Sequence, residues 1–171
     1  MIRSALCVSA CFVAAFAAFG DDKSDEKKKK DASEEKQSGP VIWSAVFEPK
    51  SVKPGGEATL KLTAKIETGW HIYAVDKPTG LSKKTSLKLA LADKLTADKD
   101  WKIPKPTKDE KAEEETHYYE GDTTFTRKIK ANDSAEGVLE ATATVEFMAC
   151  NEDMCLPPKK AVVKAALKVQ K

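Results

Sequence analysis

Two thiols separated by four residues, in Cys150-Asn-Glu-Asp-Met-Cys155-Leu-Pro-Pro, are the side chains of this chain best spaced to react with each other. Three kinds of chemistry fit that spacing: a redox-active pair, a structural hairpin staple, or part of a soft-metal site. A disulfide here closes only a six-residue loop. Loop entropy then contributes roughly 2 kcal/mol, at the low end for a structural cross-link. Glu152 and Asp153 lie between the sulfurs, and negative charge disfavours a thiolate. No Lys or Arg inside the motif lowers the thiol pKa. Such thiols exchange when a partner supplies the activated thiolate, which suits a gated carrier better than a general oxidant. A Cu(I) carrier is the metal alternative, with Met148 or Met154 joining the two cysteines, since soft sulfur suits Cu(I).

Two further clusters carry side chains that do chemistry. In Thr68-Gly-Trp-His-Ile-Tyr-Ala-Val75, alternation sends Trp70, Ile72 and Ala74 to a core face and His71 and Tyr73 to the other. These two are either surface residues or the lining of a polar site where an imidazole assists proton transfer. The segment Lys102 to Asp122 is long, charged and rich in turn residues, and reads as a loop. Near its end stand His117, Tyr118 and Tyr119, either packing on a strand edge or forming a flap. No G-x-S-x-G, Walker A, G-x-G-x-x-G or double C-x-x-C pattern occurs, so hydrolase, nucleotide and zinc-finger readings lack support. With 2 His, multi-His metal sites have little to draw on.

The elements that must position these residues read as strands. Period-two alternation runs through Glu57 to Ile66, Gly137 to Ala149 and Lys159 to Val169. Shorter runs are Val41 to Phe47, Trp70 to Val75, Thr85 to Leu91 and Thr123 to Lys130. Turn residues separate them, notably Pro54-Gly55-Gly56, Pro78-Thr79-Gly80 and Pro157-Pro158. The pattern predicts an all-β, immunoglobulin-like antiparallel β-sandwich over residues 40–171. Ala and Lys are poor strand formers, so a helix around Leu87 to Asp100 stays open. Continued alternation puts Cys150 on the face opposite Phe147, outside the core and within a partner's reach.

Ahead of this domain, residues 1–20 show the layout of a secretory signal peptide, with Arg3, an apolar run and small residues before Gly20. The run is too short to span a bilayer as a mature helix. Val8-Ser-Ala-Cys11 resembles a lipobox, but lipid attachment at Cys11 leaves an apolar tail from Phe12 to Phe19, so cleavage near Gly20 is expected. Residues 21–39 mix acids and lysines without large apolar side chains and read as a disordered charged linker. Cleavage removes Cys7 and Cys11, leaving Cys150 and Cys155 in a compartment where disulfides persist. With 29 basic and 27 acidic residues there is no nucleic-acid footprint, and any membrane contact is indirect.

Three segments together, GWHIY, HYYEG and FMACNEDMCLPPK, resemble the N-terminal periplasmic domain of DsbD-type thiol:disulfide interchange proteins, also called the disulphide bond corrector family. The resemblance covers most of residues 40–171. It implies an immunoglobulin-like fold with one redox-active pair, Cys150 and Cys155, and no other cofactor. That pair takes electrons from a thioredoxin-like domain fed by a membrane transporter and passes them to exported oxidoreductases. His71 and Tyr73 match two aromatic positions beside the pair. His117, Tyr118 and Tyr119 match a cap loop, with Tyr119 nearest the capping aromatic. The second cysteine of the pair, Cys155, is implied to form the mixed disulfide. The chain carries no transporter helices and no thioredoxin-like domain, so it is expected to act as a stand-alone exported protein that meets its donor in trans. The rivals are a scaffold with a static Cys150–Cys155 staple and the Cu(I) carrier.

Overall fold

The computed structural model describes residue 37 and residues 39–77, 79–80 and 82–171. The expected leader, with Cys7 and Cys11, and all of the charged linker except Gln37 and Gly39 lie outside the described residues.

Alternation translates directly into strands. β1 (Val41–Glu48), β3 (Glu57–Ile66), β9 (Asp122–Ala131) and β6 (Leu95–Ala97) form one sheet in the order β1-β3-β9-β6. β2 (Ser51–Val52), β12 (Lys159–Val169), β10 (Gly137–Phe147) and β5 (Ser86–Leu91) form the second, in the order β2-β12-β10-β5. All these neighbours are antiparallel except β2 and β12, where the first strand crosses to the second sheet and pairs in parallel with the last. Taking β1, β3, β5, β6, β9, β10 and β12 as strands A to G, the sheets are ABED and GFC, the immunoglobulin arrangement.

Every second residue of β3, from Ala58 to Ile66, and of β12, from Ala161 to Val169, is buried. These rows meet around Trp43, which lies 6.0 Å from the Phe125 ring and 5.6 Å from that of Phe147. Burying side chains of this size stabilises by about 1.5–3 kcal/mol each. The outer edge of β1 is covered locally by Gln37. Its carboxamide donates to the Trp43 carbonyl and accepts from the Trp43 N–H, both at 2.7 Å, as a neighbouring strand would.

A third, small sheet stands at one end of the sandwich. It contains β11 (Ala149–Cys150), β4 (His71–Tyr73), β8 (Thr116–Tyr119) and β7 (Thr107–Asp109) in the order β11-β4-β8-β7. Two glycines deliver its strands. Gly69, at φ 82°, makes the turn between β3 and β4, and Gly121, at φ 61°, makes the turn between β8 and β9.

One open alternative closes and two expectations need correction. No helix forms between Leu87 and Asp100, because Leu87, Leu89 and Leu91 alternate toward the core and Leu95 anchors β6 at 5% exposure. The segment from Lys102 to Asp122 is not simply a loop, since it contains β7 and β8. Cys150 is not exposed, as described next.

Candidate functional site

The cysteine motif folds as a tight hairpin. The Asn151 N–H donates to the Met154 carbonyl at 2.9 Å, and the Leu156 N–H donates to the Ala149 carbonyl at 2.8 Å. Cys150 and Cys155 sit between those bonds as a non-hydrogen-bonded pair, the antiparallel position where side chains approach most closely. Their Cα atoms are 4.0 Å apart and their sulfurs are joined as a disulfide. Asn151 sets the turn: its side-chain oxygen accepts from the N–H groups of Asp153 (3.0 Å) and Met154 (2.8 Å), an Asx turn. Pro157 and Pro158 then keep the chain extended until β12 begins at Lys159.

The two sulfurs have unlike surroundings. Cys150 is 1% exposed, whereas Cys155 lies in the exposed part of the turn beside Met154, itself 56% exposed. The expectation of an open Cys150 fails because the chain leaves β10 at Phe147 and re-enters a ladder at Ala149. There β4 flanks Cys150 on one side and Cys155 on the other.

The ladder register assembles the rest. Cys150 lies across from His71, Ile72 across from Tyr119, Tyr73 across from Tyr118, and Tyr118 across from Thr107. His71, Tyr73 and Tyr118 therefore share one face with Cys150, while Ile72 and Tyr119 turn inward at 0% and 3% exposure. The His71 ring meets Tyr73 edge-on at 5.3 Å and Tyr118 tilted at 5.0 Å. The Tyr73 hydroxyl stands 4.0 Å from Cys155 Sγ, at the long end of a hydrogen bond to sulfur. Tyr73 is held from behind by Thr85, whose hydroxyl donates to its carbonyl at 2.6 Å.

Two residues of the expected cap segment do not join this group. Tyr119 packs edge-on against Phe125 at 5.4 Å and donates to the Pro104 carbonyl at 3.4 Å, so it is a core residue. Tyr118, not Tyr119, is the aromatic beside the site. His117 shares the strand parity of Tyr119; its Nε2 lies 3.9 Å from Glu115, and its Nδ1 is buried without a hydrogen-bond partner.

Burial shapes the electrostatics. It pushes the His71 pKa below its usual value, and the carboxylates of Glu120 and Asp109 pull the other way. Burial and then the same two carboxylates raise the Tyr118 pKa. Tyr119 is pushed up to about 12, chiefly by burial and then by Asp76. Glu152 and Asp153 lie between the two cysteines in the turn. Among the described residues no three His, Cys, Asp or Glu side chains are grouped to hold a metal. Met148 is half-buried at the break between β10 and β11, apart in the sequence from the exposed Met154.

Sequence reasoning missed three contributors. Asn151 carries a legible signal, since Asn at the first position of a four-residue turn favours an Asx turn. Asp109 and Glu120 had none, because β7 and β8 were hidden in a segment that reads as a loop.

The family model described as "Thiol:disulfide interchange protein DsbD, N-terminal" matches residues 41–167, well over half of the chain. No curated protein matches it. Among solved structures, the N-terminal periplasmic domain of ScsB from Proteus mirabilis is similar at 14% identity and a TM-score of 0.44, covering 71% of this chain. The match spans only 44% of that chain. The seventh ScaB type I cohesin from Pseudobacteroides cellulosolvens aligns at 11% identity and a TM-score of 0.45, covering 75% of this chain and 92% of its own.

Proposed function

The chain belongs to the family of the DsbD N-terminal thiol:disulfide interchange domain, and from that membership we propose that it is an exported dithiol/disulfide shuttle. It takes reducing equivalents from a thioredoxin-like protein or domain, itself supplied by a membrane electron transporter in trans, and hands them to exported oxidoreductases. The redox group of this reading is the Cys150–Cys155 disulfide, the one disulfide among the described residues, working without an added cofactor.

The observation that carries this reading is the asymmetry of the pair: one sulfur exposed in a turn, the other 1% exposed. A donor thiolate attacks Cys155 Sγ along the disulfide axis. A mixed disulfide forms, the Cys150–Cys155 bond breaks, and Cys150 leaves carrying the electron pair. A second donor thiolate then attacks the donor sulfur of the mixed disulfide and releases Cys155. The domain has gained two electrons and, after protonation, two protons. Transfer to an acceptor runs the same steps backwards, with Cys155 attacking the acceptor disulfide and Cys150 resolving the intermediate.

A static staple is the reading to set against it. Backbone bonds on both sides of the pair and the Asn151 turn already close the hairpin, so a cross-link adds little structural constraint there. Redox titration against glutathione distinguishes the two. A potential in the range of thioredoxin-like proteins, roughly −270 to −120 mV, supports the shuttle, and one below about −300 mV supports the staple.

A further inference from the structure

When a thiolate attacks Cys155, the departing sulfur is Cys150, and it departs where water does not reach. Cys150 is 1% exposed. An anion created at such a position loses most of its hydration. Negative charge nearby makes matters worse. Glu152 and Asp153 flank the sulfurs in the turn, and Glu120 and Asp109 act on the neighbouring aromatic shelf. The exchange needs a proton at Cys150 as the bond breaks, and needs that proton removed when Cys150 attacks in return.

We propose that His71 is the proton donor and acceptor for Cys150. The assignment deepens the shuttle reading and rests on it. His71 is the cross-strand partner of Cys150 in the β4–β11 ladder. Paired positions of this kind hold their Cβ atoms about 4.5–5.5 Å apart, which makes His71 the titratable side chain next to Cys150 across the ladder. The ring packs edge-on against Tyr73 at 5.3 Å and tilted against Tyr118 at 5.0 Å.

Reduction then runs as follows. The imidazolium of His71 gives its proton to Cys150 as the donor thiolate bonds to Cys155, leaving a neutral thiol, a neutral imidazole and a mixed disulfide. In the reverse step neutral His71 takes the proton from the Cys150 thiol. The resulting thiolate attacks Cys155 and expels the partner as its thiolate. Charge and protons balance in both directions, and solvent recharges the imidazole between turnovers. Burial, the larger influence, holds the His71 pKa below its usual value, while Glu120 and Asp109 pull the other way. The groups facing His71 are Cys150 on β11, Tyr73 on β4, Tyr118 on β8, Glu120 just after β8, and Asp109 on β7; Cys155, Glu152 and Asp153 complete the turn.

The test compares the protein with its His71→Gln variant during reduction by a small dithiol across pH 5–9. Rates are divided by the thiolate fraction of the reagent. For the unaltered protein the corrected rate falls as pH rises through the imidazole pKa, because the proton donor is lost. The variant is slower at low pH by about 10²-fold, the lower range for general acid catalysis, and shows no such fall. A slower variant that keeps the same profile makes His71 a packing residue and overturns the assignment, as does an unchanged rate. A second measurement separates this assignment from the shuttle reading. In the Cys155→Ser protein the Cys150 thiol pKa, read by thiolate absorbance, is lower with His71 than with Gln. Equal values overturn the proton-transfer role even if the protein proves to be a shuttle. Should the Gln variant not fold, the His71 titration followed by NMR decides. Its midpoint differs between oxidised and reduced protein, and identical midpoints contradict the proposal.

Discussion

The hydroxyl of Tyr73 stands 4.0 Å from Sγ of Cys155, the sulfur that a partner can reach. A phenol O–H directed at a thiolate stabilises it, and hydrogen bonds to charged groups contribute about 1.5–3 kcal/mol when well formed. This one is long, so a smaller effect is expected. Tyr73→Phe raises the Cys155 thiol pKa and slows alkylation of the reduced protein at neutral pH several-fold. The fold survives, since the Thr85 bond goes to the Tyr73 backbone. The pH profile of alkylation checks this, and an unchanged midpoint removes Tyr73 from the reaction.

Tyr118 and Tyr119 are adjacent in sequence and opposite in role. Tyr118→Ala strips the ring that lies tilted against His71 and opens the shelf, so alkylation of the reduced cysteines accelerates while stability changes little. Tyr119→Ala leaves a cavity against Phe125 and costs about 3–5 kcal/mol, as for other buried aromatics. Denaturant unfolding and alkylation kinetics on the two variants separate these effects. Faster alkylation from Tyr119→Ala with intact stability reverses the roles.

Asn151 holds the hairpin whether or not the sulfurs are joined, because its two bonds are to backbone N–H groups. Asn151→Ala therefore loosens the reduced form more than the disulfide-closed one, and closing the disulfide must then order the turn. A loss of about 1 kcal/mol corresponds to a potential about 20 mV less negative for this two-electron couple. Glutathione titration of the variant reads the shift, and a shift in the negative direction contradicts it.

How much of this was legible in the sequence follows from how strongly each segment was patterned. The long strands β3, β10 and β12 carry unbroken two-residue alternation over ten or eleven positions, and their bounds could be read almost to the residue. The small sheet could not be. Its strands are two to four residues long, and charged Lys108, Asp109 and Glu120 mask β7 and β8 as solvated loop. The cysteine pair, His71 and Tyr73 were identifiable. The depth of Cys150 was not, because burial there comes from β4 and from the return of the hairpin, neither visible in local alternation. The same blindness left Tyr119 in the cap segment beside Tyr118, although it packs in the core.

Acidification gives a further prediction. Burial lowers the folded-state pKa of His71, so the unfolded chain binds more protons between that value and the unfolded value near 6.5. Stability thus rises with pH in that window and is lost as pH falls through it. His71→Gln removes this component, and the difference between the two unfolding curves from pH 8 to 5 isolates it from other titrating groups. At the alkaline end Tyr119, raised to about 12, works in the opposite sense. Its unfolded form ionises near pH 10, so stability falls from there upward. An unfolding curve for His71→Gln parallel to that of the parent over pH 5–8 contradicts the first statement.

The central claim is that electrons enter and leave through Cys155 while Cys150 serves as the buried resolving partner. Covalent trapping measures this directly. Each single-cysteine protein, Cys150→Ser and Cys155→Ser, is reduced and incubated with a thioredoxin-like protein activated as a mixed disulfide with a chromogenic thiol. The account predicts that Cys150→Ser, which keeps the exposed Cys155, accumulates a stable disulfide-linked complex, and that Cys155→Ser, with its sulfur 1% exposed, does not. Equal trapping by both proteins, or trapping by Cys155→Ser alone, contradicts it.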